Sequence, residues 1–127
     1  MDPKLDRTIG FPIVRRIMDG KNFRKQGGGK FVHVDDVAGA VVSIVGNENA
    51  AGQAFNLVDC YARWADLAQM AAQLLHADIE IDFSSPAEPR NTFLKDAVQS
   101  LGVPMDRGHQ GLREHLERLI EVIRLSP

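Results

Sequence analysis

The stretch Lys30-Phe-Val-His-Val-Asp-Asp-Val-Ala-Gly-Ala-Val-Val-Ser-Ile-Val45 carries two periods in succession. Phe31, His33 and Asp35 alternate with Val32 and Val34, which reads as a short strand rich in β-formers. At Asp35 the period lengthens. Val37, Ala38, Val41, Val42 and Val45 recur at helical spacing, and Ile44 widens the stripe. A carboxylate at Asp35 or Asp36 suits the helix start, where it meets orphan amides and the positive end of the dipole. Gly46 is a natural stop. The stretch therefore reads as strand, tight turn and helix. That helix is apolar around much of its circumference, which suits burial on more than one side.

Outward from this stretch, helical and extended patterns alternate. Phe11 to Met18 is helical, with Pro12 in its first turn. Residues 1–10 read as an irregular arm and 11–127 as a single domain. Asn22 to Lys25 and Lys30 to Val34 flank Gly27-Gly28-Gly29, the pattern of an antiparallel hairpin. Gln53 to Val58 reads as a strand, 59–63 as a turn and 63–76 as a helix with a stripe of Trp64, Leu67, Ala68, Ala71, Leu74 and Leu75. Asp78 to Phe83 alternates as a strand with one covered face. Pro86 and Pro89 make 84–91 a loop. A helix over 92–101, a loop over 105–111 and a last helix through Leu112, Leu116, Leu119, Ile120 and Ile123 complete the chain. The class is α/β, with a small mixed sheet and about five helices.

Composition narrows the function. The 127 residues are 44% hydrophobic and 25% charged, as in ordinary globular chains. A formal net charge of −2 argues against a nucleic-acid binder. A lone cysteine, Cys60, permits no internal disulfide and suits a reducing, cytoplasmic setting. No apolar run reaches membrane-spanning length, and Met-Asp-Pro-Lys-Leu-Asp-Arg lacks the core of a signal peptide.

Phe31-Val-His-Val-Asp-Asp-Val-Ala38 resembles a segment of the extended short-chain dehydrogenases, the NAD-dependent epimerases and dehydratases. Gly52-Gln-Ala-Phe-Asn-Leu-Val58, Pro89-Arg90, Lys95, Leu101-Gly-Val-Pro104 and Gly111-Leu112 are similar to later parts of that family, in the same order. The resemblance implies the C-terminal, substrate-binding portion of a Rossmann-type epimerase or dehydratase without its dinucleotide-binding half. The implied substrate is a sugar, nucleotide sugars included, and the implied parent chemistry is that of an NAD-dependent isomerase. The chain's own residues lack that chemistry. Tyr61 is the sole tyrosine, and Ala65 stands where the family's lysine would follow. Val32 occupies the third glycine position of a dinucleotide turn begun at Gly27. No catalytic, cofactor-binding or metal-ligating residue is therefore assigned, and NAD belongs to the parent family.

The substrate-side candidates are Arg90, Lys30, Asn56 and His33. By resemblance, Arg90 contacts a substrate diphosphate, for which a guanidinium fork is suited; the alternative is a solvated loop arginine. Lys30 stands near where sugar-nucleotide members carry a second arginine, and supplies a point charge. Asn56 matches a position near the family's cleft, or holds a backbone loop. His33 is an imidazole satisfied within the fold, or a substrate contact. Cys60 reads as a partly buried structural thiol. The expected partners are a small anionic or sugar-nucleotide ligand and either a second copy in a homodimer or a chain supplying the dinucleotide-binding half. Neither nucleic acid nor membrane is expected. The competing reading is a non-catalytic binding or interaction module derived from the same scaffold.

Overall fold

The computed structural model describes residues 8–45, 57–89, 99 and 102–125. Among them the chain is a small mixed α/β protein with four helices and one two-stranded antiparallel sheet.

Helix α1 spans Phe11–Met18, as its periodicity requires. Gly10 precedes it in the left-handed region, at φ 89°, and its carbonyl accepts the Val14 amide at 2.9 Å. Glycine is needed there twice over. A side chain would be strained at that φ, and its Cβ would lie 2.8 Å from Cδ2 of Leu116. Phe11, Ile13, Val14 and Ile17 turn inward.

Strand β1, Gly28–Phe31, pairs with β2, Cys60–Arg63, with Gly29 opposite Ala62 and Lys30 opposite Tyr61. This corrects two expectations. The run 59–63 is largely strand, and the Gly-rich turn does not close a hairpin. Phe23, in the segment expected to pair with β1, instead bonds residues 80–82. Its amide donates to the Glu80 carbonyl and its carbonyl accepts from Asp82, both at 2.9 Å, forming an isolated parallel bridge to Ile81. Burying Phe23, 3% exposed, decides this arrangement over a local turn. Gly28 permits the β1–β2 approach: a Cβ there would overlap the Ala62 carbonyl oxygen. Among the described residues the expected mixed sheet is a two-stranded antiparallel ladder, and 78–83 is extended chain with one bridge. Of the expected strand at 53–58, only Leu57 and Val58 are described, outside any strand; the helix expected over 92–101 lies outside the described residues except for Gln99.

Helix α2 spans Val34–Ile44. The expected carboxylate cap is replaced by His33, whose Nδ1 accepts the Asp35 amide at 3.0 Å. Asp36 points inward and is taken by Arg107 instead. Only Asp36 and Ala40 of this helix are buried, and Ala40 joins Val103 and Met105 in a small second cluster. Val34, Val42 and Val45 are 73–74% exposed and Val41 is 50% exposed.

Helix α3, Trp64–Leu75, follows β2 without a linker. The Asp66 carboxylate reaches back to the Arg63 amide at 2.9 Å, satisfying an orphan donor, and left-handed His76 closes the far end. Helix α4 spans Gly108–Leu125 and begins four residues before the apolar stripe at Leu112. That extra turn is set by a distant partner: the Gly108 amide donates to Asp59 Oδ2 at 2.8 Å.

The main core lies where α1, α3 and α4 meet. Ala68 and Ala71 let the helices approach, and Val14, Ile17, Leu67 and Leu116 fill the space, all at most 1% exposed. The Phe31 ring packs edge-on against Trp64, centroids 5.9 Å apart, and ties β1 to this core.

Candidate functional site

A cleft of about 270 Å3 opens where the end of β1, the start of α2 and the first turns of α4 converge. Its apolar lining comes from Phe31, Val32 and Val34, from Gly111 and Leu112 on α4, and from Ile9 and Cys60. The polar groups that reach it are His33, Asp59, Arg107 and His115.

Hydrogen bonds set the tautomer of both imidazoles when neutral. Nδ1 of His33 accepts the Asp35 amide, so the neutral ring carries its proton on Nε2. Nε2 of His115 lies 2.8 Å from the Ile9 carbonyl, which can only accept; that nitrogen donates, and in the neutral ring Nδ1 is the acceptor. The cleft thus holds one imidazole whose uncommitted nitrogen donates and one whose uncommitted nitrogen accepts.

The charge at the cleft is held by an ion pair. Arg107 Nε donates to Asp36 Oδ2 at 3.0 Å, with the Asp36 side chain 9% and the Arg107 side chain 39% exposed. The hydrogen bond to Asp36, opposed by desolvation and aided by the charges of Asp36, Asp35 and Asp59, holds the Arg107 guanidinium above its ordinary pKa. One guanidinium therefore stands among three carboxylates. Asp59 also holds the Gly108 amide, so the first amide of α4 is committed within the fold.

Of the residues singled out from the sequence, His33 lines this cleft and Lys30 does not. Lys30 is exposed on β1, opposite Tyr61. Arg90 and Asn56 lie outside the described residues. His33 is satisfied within the fold, as expected, and is also at the cleft wall. Sequence reasoning missed Arg107, Asp59 and His115. Arg107 and Asp36 are 71 residues apart, and no local pattern announces a pair at that distance. Residues 15–30 are rich in basic side chains, and these are dispersed: Arg15 approaches Asp19 at 3.8 Å, Arg16 bonds the Asn22 carbonyl, and Lys25 sits 5.1 Å from the Trp64 ring centre.

No protein-family model matches the chain, and no curated protein matches it. Among the described residues no group of three or more His, Cys, Asp or Glu side chains could hold a metal ion, and no helix is long and apolar enough to cross a membrane.

Proposed function

We propose that this chain is the substrate-binding portion of an NAD-dependent epimerase or dehydratase of the extended short-chain dehydrogenase type, and that it binds its ligand without turning it over alone. The observation that carries this reading is a convergence. Two segments far apart in the chain, Phe31–Val34 and Gly111-Leu112, carry parts of the resemblance, and both line one cleft. Clefts of that kind, apolar with a few convergent polar groups, are the usual form of small-molecule sites. In this reading the cleft is the substrate side. NAD and the tyrosine–lysine pair come from another chain or segment.

The other reading, an interaction module that has kept the scaffold and lost the chemistry, draws its support from α2. A helix with three valines at least half exposed, and a fourth, Val45, just past its end, presents more apolar surface than a solvated helix needs. The two readings share one expectation, that the chain alone holds no dinucleotide. Titration calorimetry with NAD tests it: no binding is expected up to millimolar cofactor. Micromolar binding would show a cofactor site within this chain and refute both.

A further inference from the structure

The charge and shape of the cleft say what kind of ligand it takes. The cation among its described lining residues, Arg107, is compensated by Asp36, with Asp35 and Asp59 close enough to act on it. The N-terminal amide of α4 at Gly108 is held by Asp59. Neither imidazole needs to be charged to make its backbone bond. Among the described residues that line the cleft no permanent positive charge is left uncompensated, and a diphosphate brought into it would compete with Asp36 for Arg107 and meet the Asp59 carboxylate. The walls are mostly hydrocarbon, contributed by Phe31, Val32, Val34 and Leu112. A sugar would leave its hydroxyls facing these walls without partners, which costs affinity.

We propose that the cleft takes a small, uncharged, mainly apolar molecule: a ring with a short substituent and one or two hydrogen-bonding groups. This departs from the sugar that the resemblance implies and rests on the reading above only for the role of the cleft as a substrate site. Size supports the choice. An apolar cavity of about 150 Å3 accommodates benzene, and this cleft, at about 270 Å3, has room for a substituent or a second fused ring. Polarity supports it as well. The His33 donor can serve a carbonyl or hydroxyl oxygen and the His115 acceptor a hydroxyl proton, so a phenol, cyclic alcohol or cyclic ketone fits better than a hydrocarbon.

The test uses the whole chain labelled with 15N and three probes: p-cresol, indole and UDP-glucose. Amide shifts of Val32, Gly108, Gly111 and Leu112 are followed during titration. p-Cresol and indole are expected to shift them saturably, with Kd of about 0.1–1 mM for ligands of this size. UDP-glucose is expected to leave them in place at 5–10 times those concentrations, roughly the margin that separates a site from a surface. Val34→Asp places a charge at the cleft wall on an exposed first helical residue, where a carboxylate suits the helix, so the fold is kept. It should weaken p-cresol about fivefold or more, the worth of one lost apolar contact. Leu112→Trp, with folding checked by circular dichroism, should abolish binding by filling the space. Shifts induced by UDP-glucose but not by the ring probes would overturn the inference and leave the epimerase reading standing. Shifts by no probe would overturn it too. Ring-probe binding that Val34→Asp and Leu112→Trp leave unchanged would place those probes elsewhere and refute it. NAD binding in the calorimetry above would sink the epimerase reading and leave the cleft's preference intact.

Discussion

Leu116 and Gly10 should be energetically coupled, and the coupling can be measured. Leu116 is fully buried between α1 and α4, and a Cβ on Gly10 would sit 2.8 Å from its Cδ2. Leu116→Ala removes the obstructing methyl groups and leaves a cavity. The helices around it are held by Val14, Ile17 and Leu67, so collapse is partial, and the cost is about 3–4 kcal/mol. Gly10→Ala pays left-handed backbone strain of about 1–2 kcal/mol, because Gly10 sits at φ 89°. In the native background it also drives its methyl into Leu116, adding about 1 kcal/mol or more of overpacking. In the Leu116→Ala background that methyl enters the vacated space, and only the backbone term remains. The double variant should therefore be more stable than the sum of the singles predicts, by about 1–2 kcal/mol. Urea unfolding gives all four corners of the cycle, read by the fluorescence of Trp64, the chain's single tryptophan, and by circular dichroism. Additivity within about 0.3 kcal/mol would refute the close approach of α1 and α4 at this point.

Three further outcomes follow from the structure. Gly28→Ala should cost about 1–3 kcal/mol, since its methyl would strike the Ala62 carbonyl and the Tyr61 hydroxyl across the sheet; thermal unfolding unchanged by the substitution would contradict the β1–β2 register. Desolvation raises the Asp66 carboxyl, but the hydrogen bonds from the Arg63 side chain and amide and its nearby positive charge outweigh this and hold it below the ordinary aspartate range. The stability it adds is complete above the unfolded value, about 3.9, and is lost as pH falls through the lower folded value; Asp66→Asn should flatten that acid limb, and an identical pH profile would remove Asp66 from it. The valines of α2 should drive self-association, so sedimentation should show a concentration-dependent dimer that Val41→Lys and Val42→Lys together abolish; a single monomer at high concentration would exclude the face as an interface.

The helices were legible because each carries its own period. Phe11–Met18 is found at its expected bounds, and the helix expected over 63–76 occupies Trp64–Leu75, with its cap residues at the expected ends. The strand β2 was hidden because Cys60–Arg63 is only four residues long and its partner lies about thirty residues back. The start of α4 was hidden for a related reason. Gly108 and Gly111 read locally as loop, and the carboxylate that holds the first amide belongs to Asp59. The site divides along the same line. His33 stands in the motif that stood out from the sequence, whereas Arg107 and His115 reach the cleft only through packing of α4. Even the helix cap shows it: composition favoured the aspartates, but Asp36 was claimed by a guanidinium 71 residues away, and the imidazole took its place.

Among the described residues helix α2 is moored chiefly by the Asp36–Arg107 pair and the contact of Ala40 with Val103 and Met105, while the main core closes without it. Such an element can detach while α1, α3 and α4 stay folded. Its amides should then exchange with solvent at a lower free energy than those of Leu67–Ala72, which wait for global unfolding. Because Val32–Val34 run directly into α2, the same excursion loosens one wall of the cleft. A ligand that requires the wall in place must slow exchange in α2 by the factor 1 + [L]/Kd, so the helix reports occupancy of a cleft that most of it never touches.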